Sequence, residues 1–487
     1  DGGDFNVGET VTLTANPDPG YEFSGWSSSP SVTISNDSFE MPASDVTITA
    51  NYTVVSYTVT VDGANGTQTG GGTYLEGDIV TLSATTESGY AFYGWKVNSG
   101  GVTIVNDSFT MPAENVSITA FYTSIEIILA DTTCGSVYRQ IVFNENGDTV
   151  AISGSNCVTI YNSTPGGSYT AKGQSIVGLG KSDLISISDD GNTIVIGDCC
   201  TDYNGTNSGH FTVYQWNSST SQWSQLGSRI DGVGGGVQKS VAISGDGLVV
   251  AYGNPDYDVT TVYLDDINKG YIKVYEWNST NSQWQQRGGD LIGESRDAGY
   301  GQHIALNEDG SRLLQLHDGT AKVFEWNGSN AYAQKGSDVT LSYSGSGGYT
   351  TSTKRCSLTS DGLKFAVCCG LSPNPLEARV FQWNSTNSDW SQIGSSFSSG
   401  TGVSLSDDGA ILGVSDMYYD NYTGVVRVYK LINGSWNLEK EVIGEGDNTV
   451  KNNVSKFGIS PDGSKLGVCF RYQEETRIFN LSPPIGY

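Results

Sequence analysis

Apolar residues along this chain come in short alternating runs, such as "VTLTA" (Val11–Ala15) and "YTVTV" (Tyr57–Val61), separated by clusters of Gly, Asn, Asp and Ser. A period of two marks a strand with one buried face, and no window carries the 3.6-residue period of a long amphipathic helix. The pattern therefore predicts an all-β protein with many turns.

From Ile125 onward one unit recurs. Its first marker is an apolar strand, a tight turn ending in glycine, and a second apolar strand, as in "SISDDGNTIVIG" and "AISGDGLVVAYG". The turn glycines are Gly147, Gly191, Gly247, Gly310, Gly362, Gly409 and Gly463, at spacings of 44, 56, 63, 52, 47 and 54 residues. Asp-Gly or Asn-Gly between alternating runs is a strong hairpin signal. A third strand follows ("FTVYQWN", "IKVYEWN", "ARVFQWN"), and in most units a fourth ("SQWSQLG", "SDWSQIG"). Seven units of four strands at this period predict a seven-bladed β-propeller. The last unit lacks its fourth strand, and a spare strand, Ser124–Ala130, precedes the first. Pairing of that strand with Thr476–Phe479 would latch the ring with its own two ends.

Residues 3–53 align with residues 72–123, down to "NDSFEMPASDVTITANYT" against "NDSFTMPAENVSITAFYT". Each copy predicts about three strands around a small core of Tyr21, Trp26 and Phe39, or Tyr90, Trp95 and Phe109. The expected domains are residues 1–53, 54–123 and 124–487. The first copy has no counterpart of Val54–Thr69, so its first strand is missing. With no initiator Met or signal peptide, the sequence reads as processed or incomplete at its start. Either the strand lies upstream, or another subunit covers the open edge. In the second reading the first copy makes the contact of a head-to-tail polymer. The tail Leu481–Tyr487 is a poor strand donor because of Pro483 and Pro484.

The motifs "GxxVTLTAxxxxGYxFxGW" and "xFxMPAxxVxITAxY" resemble the divergent internalin-B-type repeat of bacterial surface proteins. That resemblance implies small extracellular β-modules used as spacers or adhesive stalks. The "S-x-DG" turn with "G-x-h-x-V-y-x-W" strands resembles FG-GAP/integrin-α-like propellers, which implies an extracellular binding or scaffold module. The calcium-binding DxDxDG loop of such propellers is absent here. Weak cation binding is left to acidic loops holding Asp256, Asp258, Asp265 and Asp266, or Asp416 and Asp420; solvated connectors are the plainer reading.

The net charge of −27 argues against nucleic acid as a partner. No apolar stretch is long enough to span a bilayer as a helix. Three histidines (His210, His303, His317) and no CxxC pair argue against zinc. His303 stands at a strand position expected to be apolar in other blades, and no catalytic motif is found. The eight cysteines are Cys134, Cys157, Cys199, Cys200, Cys356, Cys368, Cys369 and Cys469, none of them in the front repeats. An even count in a secreted chain favours disulfides. Cys134 with Cys469, across the latch, and Cys157 with Cys199 or Cys200 are reasonable pairs.

Each blade also carries an N-x-S/T triplet after its third strand, at Asn162, Asn217, Asn278, Asn327, Asn384, Asn433 and Asn480. Others begin at Asn36, Asn51, Asn65, Asn106, Asn115, Asn204, Asn421 and Asn453. Asn is an ordinary turn former, yet the residues around the triplet vary while it persists. The expectation is a secreted, N-glycosylated structural protein that is not an enzyme and needs no cofactor. It would be the self-assembling subunit of an extracellular filament, appendage or matrix. The alternative is a surface adhesin whose propeller binds a glycan or protein.

Overall fold

The computed structural model describes residues 2–87, 90–129, 140–154, 156–163, 169–177, 184–198, 208–233, 240–258, 268–295, 299–317, 319–341, 355–369, 377–398, 400–444, 454–470 and 475–481. It divides into two units, Asp1–Ser124 and Ile125–Ser482.

The first unit holds the two front modules. Module one has four strands in two antiparallel pairs, rather than the three expected. Thr10–Thr12 pairs with Ser38–Glu40, and Tyr21–Ser29 with Thr47–Val54. The extra strand arises because the short "SFE" run closes back on "TVT" through Asn36–Asp37. Both turn residues have positive φ (49° and 52°), which Asn and Asp tolerate. Asp37 then accepts the indole N–H of Trp26 at 2.8 Å, and Asp107 repeats this with Trp95 at 2.7 Å in module two. The indoles lie on Phe23 and Phe92 with centroids 4.9 and 5.0 Å apart. Phe39 and Phe109 are buried as expected, but Tyr21 is 49% exposed and does not belong to the core. Its strand has no neighbour on its outer side among the described residues.

Module two repeats both pairs and adds the segment that module one lacks. Tyr57–Gly63 runs parallel to Val116–Ala120, Gly72–Tyr74 returns along it, and Gly66–Thr69 pairs with Ser83–Thr86. Its core is Val59, Val80, Leu82, Phe109, Met111, Val116 and Ile118.

Among the described residues the second unit is a ring of seven antiparallel sheets, each with four strands in succession; in the first four a further two-residue strand also pairs with the third strand. The innermost strands begin at Gln140, Leu184, Ser240, His303, Cys356, Gly402 and Val454. Each neighbours the innermost strands on either side, and Val454–Ile459 neighbours Gln140–Phe143, so the cycle closes. The seventh sheet borrows its outer strand, as anticipated: Ile125–Leu129 pairs antiparallel with Glu475–Phe479.

The second strand of each blade is covered on both faces. Thr149–Ser153, Thr193–Asp198 and Val249–Asn254 are buried at every position. The core therefore lies between blades; one cluster joins Val158 and Ile160 of blade 1 to Ile185, Ile194 and Trp223 of blade 2.

Outer strands staple neighbours together. The indole N–H of Trp223 donates to the carbonyl of Lys172, Trp284 to Leu226, Trp390 to Lys335 and Trp436 to Ile393, at 2.8–3.1 Å. In each case the acceptor belongs to the preceding blade and is followed by a glycine at positive φ, such as Gly227 at 71°. A Cβ on Gly227 would stand 2.8 Å from Trp277 and 3.0 Å from Trp284, so only glycine lets the tryptophan approach.

Candidate functional site: the channel rim and the blade corners

The turn between first and second strands is built in the same way in five of the seven blades. Ser188 Oγ donates to Asp190 Oδ1 at 2.6 Å, Asp190 Oδ1 accepts the Asn192 N–H, and Ser188 Oγ accepts the Thr193 N–H. Ser244–Asp246, Thr359–Asp361, Ser406–Asp408 and Ser460–Asp462 repeat this, with Asn307–Asp309 as a variant. For Asp190, burial alone would raise the carboxyl, but the bonds from Ser188 and Asn192 outweigh it and hold it below the usual range. The conserved-looking aspartate of "DG" thus closes its own turn, a local role that needs no ion.

The residue between the Ser and the Asp faces the axis. These residues are Glu145, Asp189, Gly245, Glu308, Ser360, Asp407 and Pro461; the last six line a narrow axial cavity of about 140 Å³, and Glu145 lines the wider cavity beside it. Backbone bonds tie the rim together, for example Asp189 N–H to Gly245 O at 2.8 Å and Asp407 N–H to Pro461 O at 2.7 Å. Four of the seven are acidic. This rim was not singled out from the sequence, although the column preceding each "DG" carries it. A wider polar cavity of about 590 Å³ opens beside it, lined by Asn144, Asn146, Asp148, Asn162, Lys172, Asp189, Asp190 and Glu308 among others. Lys172 is engaged there: its ammonium donates to Gly191 O and Asn192 Oδ1 and lies 5.5 Å from the rings of Trp216 and Trp223.

Burial, with Glu145, Glu308, Asp246 and Asp190 close by, pushes the Asp189 carboxyl up to about 6. An acid whose folded value lies above its unfolded one near ~3.9 holds its proton more tightly when folded. Its contribution to stability is therefore present below about pH 4 and lost as the pH rises through about 6. Asp189→Asn is expected to stabilise the ring at about pH 7.5 by about 1 kcal/mol, allowing for solvent screening of a half-exposed carboxyl. At about pH 4 it should change nothing. Thermal scans at both pH values check this; equal shifts at the two would assign the effect to packing instead.

The sequon asparagines resolve into distinct classes. Asn217, Asn278, Asn327 and Asn384 are equivalent, each at or just past the end of its third strand. Their Oδ1 atoms accept the N–H of the residue two further on, Ser219, Thr280, Ser329 and Thr386, at 2.9–3.0 Å. Asn433 occupies a two-residue hairpin turn with Gly434, with φ of 50° and 79°. Asn162 and Asn480 depart from the expected common corner. They pair with Thr149 and Lys465 of the second strand, the register held elsewhere by Gln215, Glu276, Glu325, Gln382 and Lys430. They are half-buried, and accept bonds from Thr149 Oγ1 and Lys465 Nζ. A one-dimensional reading aligned the triplets; the ladder shows them two residues out of step.

Asn36 and Asn106 are exposed in their equivalent turns, and Asn65 has φ of 73°. Asn51 donates its amide to Gly25 O and Ser27 Oγ, while Asn115 Oδ1 accepts the Thr58 N–H. Asn421 belongs to the short helix Tyr419–Tyr422, and Asn204 and Asn453 lie outside the described residues.

Cys356, Cys368, Cys369 and Cys469 are buried thiols, so the expected bridge from Cys469 to Cys134 is not made. The reason is placement. Cys469 sits on a second strand between blades, where a thiol packs as a small apolar group; its Sγ is 3.5 Å from Thr476 Oγ1, and burial pushes it up to about 11. Burial likewise pushes Cys368 up to about 12. Cys157 is disulfide-bonded; Cys134, Cys199 and Cys200 lie outside the described residues.

His303 opens a first strand, and the equivalents of His303 are Gln140, Leu184, Ser240, Arg355, Gly402 and Lys456. That column is mostly polar, contrary to the expectation of an apolar one, because it lies at the end of the strand. His210 and His317 are half-buried at strand ends. Among the acidic loops, Asp258 Oδ1 accepts the Asn268 N–H and Asp416 Oδ1 the Tyr418 N–H. Asp265 and Asp266 lie outside the described residues. Among the described residues no group of three or more His, Cys, Asp or Glu is arranged to hold a metal ion, and no helix is long and apolar enough to cross a membrane.

Two classes of module are thus defined, small β-repeats and a propeller. The divergent InlB B-repeat domain family matches residues 1–56 and 57–126. No curated relative matches the chain. Among solved structures, the β-propeller domain of Cps50 (Swd1) from Myceliophteria thermophila is similar at 14% identity, over 74% of this chain and 100% of that one, with a TM-score of 0.50. Hydrazine synthase from Kuenenia stuttgartiensis is 12% identical over 72% of this chain and 97% of that one, with a TM-score of 0.48. At 14% identity the likeness to the Cps50 propeller is one of fold alone.

Proposed function

We propose that the chain is a secreted, N-glycosylated structural protein: a subunit of an extracellular filament, appendage or matrix that assembles with its own kind through the front modules. The observation that carries this reading is the corner shared by Asn217, Asn278, Asn327 and Asn384. The turn there uses the side chain of Asn and the N–H of the residue two further on. Any residue but proline supplies that N–H, so the turn itself does not require Ser or Thr at 219, 280, 329 and 386. Glycosylation does require the hydroxyl. The disulfide at Cys157 supports the same oxidising compartment. FG-GAP-like kinship of the propeller belongs to this reading as well.

Intact-mass measurement before and after N-glycosidase treatment tests it. Mass loss is expected, with occupancy at Asn217, Asn278, Asn327 and Asn384 exceeding that at the half-buried Asn162 and Asn480. No mass loss would end the reading. Negative-stain microscopy of native material should show ordered polymers. A second reading, an adhesin, is favoured by the polar cavity beside the rim, whose amides and carboxylates suit sugar hydroxyls. Dispersed monomers that bind a glycan array would support it.

A further inference from the structure

In blades 1 to 5 the N–H that closes the outer strand onto the third belongs to Lys172, Leu226, Arg287, Lys335 and Ile393. The three cations among them each lie over an aromatic ring of the next blade. Arg287 and Lys335 also have a counter-ion in their own third strand, Glu276 at 3.8 Å and Glu325 at 3.1 Å. In blade 1 that register holds Asn162 instead. Lys172, buried at 9% exposure, makes no ion pair among the described residues; its ammonium donates to neutral oxygens, Gly191 O at 2.7 Å and Asn192 Oδ1 at 2.9 Å. Asn192 is equally out of pattern. The residue after the turn glycine is Asp148, Leu248, Ser311, Leu363, Ala410 or Ser464 in the other blades, so a carboxamide meets a buried amine only here. That carboxamide is oriented from both ends: Oδ1 accepts from Lys172, and Nδ2 donates to Asp190 Oδ2 at 3.1 Å. Reversing the amide would lose both bonds.

We propose that Lys172 and Asn192 are a site of covalent self-modification, joined by an isopeptide bond from Nζ to Cγ with Asp190 as the proton carrier. The amine, the carboxamide and the carboxylate are already in one hydrogen-bonded row, so the reaction is intramolecular and its orientation is fixed by the fold. Burial pulls the lysine below its ordinary value although Asp190 and Asp148 oppose this, which favours the neutral, nucleophilic amine. Nζ moves from Oδ1 onto the adjacent Cγ. Asp190, held ionised by its turn, takes the proton that the attacking amine sheds and passes it to Nδ2, to which it is already bonded. The Nζ–Cγ bond forms, the Cγ–Nδ2 bond breaks, and ammonia leaves. An ammonium and a carboxamide become a secondary amide and an ammonium ion, so no oxidant or cofactor is consumed. The product ties the outer strand of blade 1 to the turn of blade 2, beside the bond from Trp223 to Lys172 O. It is independent of whether the chain assembles with others.

The test is a tryptic digest of the full chain, reduced and treated with N-glycosidase, read by mass spectrometry. Cleavage after Lys172 should be lost, and residues 140–181 and 182–229 should run as one branched peptide. Its mass should fall short of the two separate peptides by one ammonia, about 17 Da. Fragmentation should place the branch at Lys172 and Asn192. Asp190→Asn should leave the two peptides separate at full mass, as should Asn192→Ala. The wild-type digest decides the matter even if a variant misfolds: cleavage after Lys172 with both peptides at full mass overturns the bond. A branched peptide that forms equally in the Asp190→Asn chain overturns the part given to Asp190.

Discussion

Removing residues 125–129 is expected to lower the melting temperature of the propeller by on the order of 10 °C. This strand supplies the fourth position of blade 7, in register from Ile125 opposite Phe479 to Leu129 opposite Glu475. At about 1 kcal/mol for each net backbone hydrogen bond, five paired residues contribute about 5 kcal/mol, and in a large domain each kcal/mol shifts the midpoint by about 2–4 °C or somewhat less. The loss also bares the edge of Glu475–Asn480 and releases the clip that joins the two ends of the ring. Reattaching the same five residues after Leu481 through a short hairpin should restore the midpoint, because the pairing is antiparallel. An unchanged midpoint on deletion would show that the ring closes without the latch.

The second large effect is expected from Trp284→Ala, at about 4 kcal/mol. Trp284 is 6% exposed, lies 5.3 Å from Trp277 between centroids, and donates to Leu226 O of the preceding blade at 3.0 Å. Truncation leaves a cavity next to Gly227, which has no side chain to fill it, and an orphaned carbonyl. Trp284→Phe keeps much of the ring contact and loses the N–H, so it should cost about 1–2 kcal/mol. Trp436, which makes the same bond from a half-buried position, should cost less on truncation than Trp284. Denaturant midpoints of the three variants give the order directly; equal losses for Trp284→Ala and Trp284→Phe would place the whole effect in the hydrogen bond.

Much of the architecture is legible along the chain because its causes are local. Period-two alternation and Asp-Gly turns announce the strands and hairpins, and turn residues such as Asn36 and Asp37 carry their own backbone preference. Counting strands was enough to place Ser124–Ala130 beside the last blade, and the ladder at residues 125–129 agrees. Where a property depends on the neighbour across a ladder or a blade, the same sequence was misleading. Asn162 and Asn217 follow similar runs, yet Asn162 lies in register with Gln215 and turns inward on Thr149.

Composition and pattern by themselves determined an all-β chain of two repeats and seven four-stranded units, with the latch at its ends. Only the tertiary structure decided which side chains converge. Asp189, Glu308 and Asp407 come from different blades, up to 218 residues apart by their numbering, and line one cavity because seven first strands share one axis, with Glu145 in the cavity beside it. Cys469 is a buried thiol because its strand is covered from both sides. Ile48 and Tyr52 stand in nearly the same sequence as Ile118 and Tyr122, but among the described residues no parallel strand covers them as one covers the second pair. Local sequence sets the direction in which a chain runs and turns; burial and charge depend on what another segment places against it.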